Sequence, residues 1–94
     1  MDTQELVEVI KTWVDTYRET VEAGNDRQND PKWRDNMIKF ASVIMVPESL
    51  KDTPAQKILE AVIAKAKEKK SERVEEIYSL LCDVENYLND SLAV

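Results

Sequence analysis

The chain contains 94 residues with 19 acidic and 13 basic side chains, so its formal charge is −6. This charge argues against nonspecific binding to nucleic acids and to anionic membranes, both of which favour a basic surface. The sequence has no histidine and one glycine, which excludes imidazole metal sites, histidine general bases and glycine-rich phosphate-binding loops. Hydrophobic residues make up 43% of the chain, enough for a core, and the length predicts a single domain over residues 1–94.

The cysteine content and the short apolar runs indicate the cellular compartment of the protein. Cys82 is the only cysteine, so no disulfide can form within the chain, and a short domain without disulfides is typical of a reducing cytosol. Residues 1–5 are acidic in character, and no signal-peptide stretch follows them. The longest apolar run, residues 43–46, is far shorter than the roughly 20 residues that a membrane span needs. We therefore expect a cytoplasmic protein with no membrane partner.

The first predicted helix begins at a capping residue, Asp2 or Thr3, and ends at Gly24. Its apolar residues recur mostly three or four positions apart, which places them on one stripe of about 140°. A stripe of this width is typical of a helix that faces a core. Gly24 is expected at the first position beyond the helix, where a left-handed backbone is common. The residues of the stripe are Leu6, Val9, Ile10, Trp13, Val14, Tyr17 and Val21.

The second predicted helix runs from the capping residue Asp30, with Pro31 in the first turn, to Val46. It ends there because the residue before Pro47 avoids the helical region. Eight of the ten residues from Met37 to Val46 are apolar, so we expect this half to be buried on nearly all sides. The composition of residues 40–46 also fits a strand. No other segment shows the alternation of apolar and polar residues that a partner strand would need. A helix is therefore favoured.

The third helix is predicted to begin at Thr53, followed by Pro54 and by Gln56 three positions after the cap. It ends in a lysine-rich turn that suits the negative end of the helix dipole. A fourth helix, with Ser71 as its capping residue, is predicted from Glu72 to about Asn89. Residues 55–94 contain no glycine or proline, so one continuous helix of about 36 residues, roughly 54 Å long, is an alternative. The pattern predicts an all-α fold, a small bundle of three to four amphipathic helices.

Charge is segregated along the chain. Residues 1–30 carry 8 acids and 3 bases, residues 31–70 carry 5 acids and 9 bases, and residues 71–94 carry 6 acids and 1 base. The acidic fourth helix either extends the negative surface of the first helix or is neutralised by the basic third helix. The acids of the first helix lie opposite its apolar stripe, within about 100° of arc. They are Glu5, Glu8, Asp15, Glu19 and Glu22.

These ordered acids are interpreted either as a solvated outer face or as a docking surface for a basic partner. Like charges four residues apart, such as Asp15 and Glu19, destabilise a helix by roughly 0.2–0.5 kcal/mol. Because the sequence places these like charges together despite that cost, the docking interpretation is retained. Trp33, in the first turn of the second helix, is a candidate anchor for a partner. Trp13 lies in the middle of its stripe and is expected in the core.

No catalytic residue, metal site or cofactor is predicted. Glu85 lies on the apolar side of the fourth helix, where a carboxylate could acquire a raised pKa and act as an acid or base. Because no partner residue for catalysis accompanies it, we expect a boundary residue paired with Lys11 or Arg18. The lysines that end the third helix are diluted by acids and carry no interleaved aromatic residues, so direct nucleic-acid binding is not expected.

These observations favour a non-enzymatic, small acidic binding protein that docks on a larger protein partner with a basic surface. We expect an inhibitor or modulator that masks a nucleic-acid-handling surface. Phage anti-defence proteins and immunity proteins share this size and charge, which is an analogy and not a motif. The alternative is a homodimer or larger homo-oligomeric assembly subunit that associates through apolar helix faces. The predicted partner-binding residues are Glu8, Asp15, Glu19, Glu22 and Trp33.

Overall fold

The computed structural model describes the backbone of residues 1–92 and the side chains of residues 1–90. This part of the chain contains four α-helices and no strand, which confirms the all-α bundle. No helix in it is both long and apolar enough to cross a bilayer. The helices are α1 (Thr3–Glu22), α2 (Pro31–Ala41), α3 (Pro54–Lys67) and α4 (Val74–Leu92), and short 3₁₀ turns occupy Asp26–Asn29, Glu48–Leu50 and Ser71–Arg73.

Helix α4 is the central element of the bundle. It packs against α3 over most of its length and against α1 on another side, and it also contacts α2. Tyr17 of α1 stacks on Tyr78 of α4, whereas Ile10 lines a groove with Leu88. Helices α1 and α4 are therefore antiparallel. Helix α2 contacts α1, α3 and the 3₁₀ turn that precedes α4.

The core is formed by all four helices, because each turns one apolar stripe inward. The Trp13 indole is fully buried, and its Nε1 donates a hydrogen bond to the carbonyl oxygen of Met37 at 2.8 Å. This bond joins the middle of α1 to α2 and satisfies the indole N–H inside the core. The core residues on α1 and α4 are Leu6, Ile10, Trp13, Val14, Val74, Ile77, Leu81, Val84 and Leu88.

The predicted helix starts are confirmed at atomic level. The Asp2 carboxylate accepts a hydrogen bond from the Glu5 backbone N–H at 2.8 Å, and Asp30 accepts one from Lys32 at 2.9 Å. These side chains satisfy N–H groups that the first turn leaves without a helical partner. Helix α3 begins at Pro54 as predicted, although the cap residue before it makes no side-chain hydrogen bond to the helix.

Gly24 ends α1 as the sequence predicts. Its φ is +65°, and its N–H donates to the carbonyl of Val21, while the N–H of Asn25 donates to the carbonyl of Thr20. This pair of bonds is the Schellman arrangement, which needs a left-handed residue just beyond the helix. The chain then turns directly into the 3₁₀ segment that leads to α2.

The prediction that the second helix continues to Val46 is wrong. Helix α2 ends at Ala41, and the Ser42 N–H and hydroxyl donate to carbonyls of its last turn. The chain turns at residues 42–43 and has no regular secondary structure over residues 44–47. Its side chains alternate there: Ile44 is 2% exposed, whereas Val43 and Met45 are 54% and 60% exposed. β-Branched residues before a proline favour extended backbone, which also covers more distance per residue toward α3. The strand alternative is not realised either.

The helical structure is interrupted between α3 and α4. The alternative of one continuous helix is therefore wrong. Lys69 adopts a left-handed conformation with φ of 57°, and α4 begins at Val74, somewhat later than predicted. The bend folds α3 back on α4, and the longest dimension of the described structure is 39 Å. Arg73 bonds Glu68 and Glu76 at 3.0 Å each, which ties the two sides of the break together.

The left-handed residue at the end of α1 makes a stability test possible. A Cβ at Gly24 would meet no atom within 4 Å, so Gly24→Ala adds only backbone strain. We expect it to lower the free energy of unfolding by about 1 kcal/mol. Gly24→Asn should lower it less, because asparagine tolerates this conformation. Urea denaturation followed by circular dichroism measures both, and an alanine variant as stable as the wild type would contradict the assigned backbone.

The alternating burial in the segment after α2 allows a second stability test. We expect Ile44→Ala to lower the free energy of unfolding by about 2–5 kcal/mol, because its side chain fills the core. Met45→Ala should change it by less than about 0.5 kcal/mol, because that side chain is exposed. The same denaturation measurement compares them. Equal losses at the two positions would contradict the alternation and favour a buried helix here.

Candidate partner-binding surface

The outer side of α1 carries a row of carboxylates, as the sequence predicts. Four of them, here called the acidic face, lie on one side of the helix and are all exposed. The last carboxylate of the row, Glu22, follows the first, Glu8, by 14 positions. At a rise of 1.5 Å per residue the row is about 21 Å long. The opposite side of α1 faces the core, and four of its residues, Leu6, Ile10, Trp13 and Val14, are fully buried. The acidic face consists of Glu8, Asp15, Glu19 and Glu22.

No carboxylate of the acidic face forms an ion pair with any residue that the structure describes. The ion pairs present involve bases of α2, α3 and the turns, so the negative charge of α1 stays uncompensated there. The pairs are Arg34–Glu75, Lys51–Glu48, Lys65–Glu76, Arg73–Glu68 and Arg73–Glu76.

Of the two arrangements left open for the acids of α4, the structure shows neutralisation by neighbouring bases at the beginning of the helix. At its beginning, Glu75 pairs with Arg34 of α2, and Glu76 pairs with Lys65 of α3 at 3.0 Å. Basic residues therefore neutralise the first turns of α4. Further along, Asp83 and Asp90 are exposed and join no ion pair with a described residue. The second half of α4 lies beside α1, where Leu88 and Asn89 line a groove with Val7 and Ile10.

An aromatic cluster occupies the junction of α1, α2 and α4. The centroid of the Tyr17 ring lies 4.2 Å from that of Tyr78 and 5.8 Å from that of Trp13, and the Tyr17 ring is stacked on both. The Trp33 ring lies 6.3 Å from Tyr17 and is half-buried. Part of the Trp33 surface is thus engaged inside the protein, and its role as an anchor stays a prediction. Burial raises the pKa of Tyr17 above its ordinary value.

Arg34 holds this junction together, a role that sequence reasoning missed. Its guanidinium donates to the carbonyl of Ser71 at 3.0 Å and to that of Gln28 at 2.7 Å, and it pairs with Glu75. The side chain is only 16% exposed. It therefore joins the turns before α2 and α4, and little of it is accessible to a partner. Its position in the first turn of α2 is the only signal in the sequence.

A groove between α1 and α4 adjoins the acidic face. Its volume is about 320 Å³, with an apolar floor and a polar rim. Its floor residues are Val7, Ile10 and Leu88, and its rim residues are Lys11, Asp15, Glu85 and Asn89. Asp15 belongs both to this α1–α4 groove and to the acidic face.

Glu85 does not form the ion pair that was expected for it. No cationic nitrogen of Lys11 or Arg18 lies within 4 Å of its carboxylate oxygens, and Arg18 instead donates from Nε to the Tyr78 hydroxyl at 2.9 Å. Burial raises the pKa of Glu85 above its ordinary value, and the negative charge of Asp15 raises it further, while Arg18 and Lys11 act in the opposite direction. Glu85 is thus a half-buried carboxylate without a paired cation among the described residues.

Other chemistry-bearing groups are dispersed. The described residues include no cluster of three or more cysteine, aspartate or glutamate side chains arranged to hold a metal ion. The Cys82 sulfur lies 3.8 Å from a guanidinium nitrogen of Arg18. A second pocket of about 370 Å³ lies between α2 and α3, with Ile38 and Ala66 in its wall and Lys39 and Lys69 among its polar residues.

Comparison of the chain with protein-family models, with curated proteins and with solved structures yields no match.

The raised pKa of Glu85 predicts how stability depends on pH. The folded protein holds a proton on this carboxyl more tightly than the unfolded chain does. The contribution of this group to the free energy of unfolding therefore falls as the pH rises from the ordinary glutamate value to the raised one.

We expect Glu85→Gln to be more stable than the wild type at neutral pH, because the uncharged amide avoids the desolvation penalty. The difference should disappear below about pH 4, where the wild-type carboxyl is protonated as well. Urea denaturation of both proteins across this range measures the effect. A Glu85→Gln variant that is no more stable at neutral pH would contradict the environment described for this residue.

Proposed function

We propose that the protein is a non-enzymatic binding protein that docks the acidic face of α1 on a basic surface of a larger protein. The observation that carries the proposal is the row of four exposed carboxylates without an ion-pair partner among the described residues. Asp15 and Glu19 repel each other at a spacing of four residues. Lysine or arginine side chains of a partner would remove this repulsion, which nothing in the described chain does.

Electrostatic attraction of this kind acts mainly on the encounter rate and on partner choice. Exposed pairs contribute about 0–1 kcal/mol each, and salt screens them. An acidic face alone therefore supports modest affinity, and tight binding needs contacts that exclude water nearby. Trp33 is the aromatic residue that we propose for such a contact, through the part of its ring that Tyr17 leaves uncovered.

The density of charge favours covering a basic surface over imitating a nucleic acid. Duplex DNA carries about 12 phosphate charges over 21 Å of its axis, whereas the acidic face carries four over about the same length. A partner that binds this face therefore uses a few basic side chains. We propose an inhibitor or modulator that works in the cytoplasm by masking such a group on a nucleic-acid-handling protein.

Self-association is a second candidate, favoured by one observation. Val43 and Met45 are the large hydrophobic residues that the described part of the chain leaves exposed, at 54% and 60%. They flank the buried Ile44 on the segment that follows α2. The core-facing stripe of α4 is buried inside the protein and offers little to a second copy. Sedimentation at high protein concentration tests this candidate, and a Met45→Lys variant with an unchanged sedimentation profile would exclude this patch.

A charge-reversal pair tests the main proposal. The double variant Asp15→Lys/Glu19→Lys removes half of the acidic face. Its matched control, Asp35→Lys/Glu60→Lys, reverses two exposed carboxylates of α2 and α3, so the formal charge of −6 rises by the same amount. Each protein is immobilised and exposed to nuclease-treated cell lysate, and the retained proteins are quantified by mass spectrometry in about 0.1 M and about 1 M salt.

We expect the wild type and the control to retain the same basic protein, and the Asp15→Lys/Glu19→Lys variant to lose most of it. Retention by the wild type should fall strongly at high salt, since screening shortens the range of attraction to about 3 Å. If the α1 variant retains the same protein as the wild type, or if the control loses it equally, the acidic face is not the docking surface.

A further inference from the structure

The α1–α4 groove has the shape and charge of a site for one cationic side chain. Its volume of about 320 Å³ is at the lower end of ligand pockets, which run from roughly 300 to 1,000 Å³. Its rim contains two carboxylates, of Asp15 and Glu85, and one ammonium group, of Lys11. The formal charge of the groove is therefore negative by one unit, and one bound cation neutralises it.

The charged groups of this rim make no ion pairs with described residues. The most obvious internal cation, Arg18, forms no ion pair with Glu85, because its guanidinium bonds the Tyr78 hydroxyl and lies 5.7 Å from the centre of that ring. Glu85 is consequently half-buried beside the like charge of Asp15. A carboxylate in such a place is stabilised by binding a proton or a cation that another molecule supplies.

We propose that the α1–α4 groove receives one arginine side chain of the protein partner, held between the carboxylates of Asp15 and Glu85. This inference rests on the proposed function and names the partner group that the acidic face guides into place. The apolar floor of the groove accepts the methylene stem of the arginine, which prefers apolar surface while its head stays polar.

Arginine fits this site better than lysine. Its planar guanidinium has five N–H donors in a fixed arrangement, so it can bond two carboxylates and the amide oxygen of Asn89 together. It is also less strongly hydrated than an ammonium ion, which lowers the cost of entering a groove with an apolar floor. A lysine ammonium would have to give up more hydration for fewer directed bonds.

Binding at this site is coupled to protonation of Glu85. The guanidinium binds the carboxylate form, so affinity falls as the pH is lowered through the pKa of Glu85. The charged groups that face Glu85 are Asp15, Lys11 and Arg18, all on α1.

The test uses a small probe in place of the unidentified partner. N-Butylguanidinium is titrated into the isotope-labelled protein, with n-butylammonium and n-butylurea as comparison probes, and backbone amide shifts are followed by NMR. The variant is Glu85→Gln. Its matched control, Asp83→Asn, removes one negative charge from an exposed position on the same helix.

We expect saturable shifts at the amides around Val7, Leu88 and Asn89 with N-butylguanidinium, weaker ones with n-butylammonium and none with n-butylurea. Glu85→Gln should weaken the guanidinium affinity about tenfold, the effect of losing one hydrogen bond to a charged group. Asp83→Asn should leave it close to the wild-type value. Shifts absent from the groove, or an affinity unchanged by Glu85→Gln, would overturn the inference.

This outcome is separable from the fate of the proposed function. If the Asp15→Lys/Glu19→Lys protein loses its partner while Glu85→Gln leaves guanidinium binding unchanged, the groove is not an arginine site and the docking face stands. If the groove binds the probe as expected while charge reversal on α1 changes no retained protein, the proposed function fails instead.

Discussion

One side of α4 is buried along its described length, because α1 and α3 pack against it together. Val74, Ile77, Leu81 and Val84 are completely inaccessible to solvent. This packing fixes the rotation of each neighbouring helix about its own axis. Helix α1 must turn Leu6, Ile10, Trp13 and Val14 toward the core, so its carboxylates point to the opposite side. The acidic face is thus a geometric consequence of how the core is built.

The uncompensated charge of that face has an equally local cause. Arg34, Lys65 and Arg73 are engaged by acids at the beginning of α4 and in the turn before it. Helix α1 has only two bases of its own, Lys11 and Arg18, and Arg18 is held by Tyr78. Surface ion pairs contribute little to stability, so this partition of charge bears more on what the protein can bind than on how firmly it is folded.

The sequence predicts those features that depend on neighbours a few positions away. Helical periodicity identifies Trp13 and Leu81 as core residues, and the caps at Asp2 and Asp30 follow from residue type alone. The left-handed turn at Gly24 is predicted for the same reason. The docking role of the acidic face is a different kind of statement, since periodicity places its residues on one side without naming what they bind.

Features that depend on distant residues were not predicted correctly. Where α2 ends is decided by the route the chain takes to α3, so local composition wrongly predicts a helix for the apolar run of residues 43–46. The bend at Lys69 has no glycine to mark it. The choice of Tyr78 over Glu85 by Arg18 depends on the antiparallel pairing of α1 with α4, which no local pattern records. That choice leaves Glu85 in the groove without an ion pair to a described residue.

Carboxyl footprinting by mass spectrometry tests the central claim most directly, because it measures which carboxylates are accessible before and after the partner binds. The account predicts that Glu8, Asp15, Glu19 and Glu22 react fast in the isolated protein and become protected in the complex, while Glu75 and Glu76, which lie outside the acidic face, react at the same rate in both. Slow reaction of the α1 carboxylates in the isolated protein, or protection confined to another surface in the complex, would contradict it.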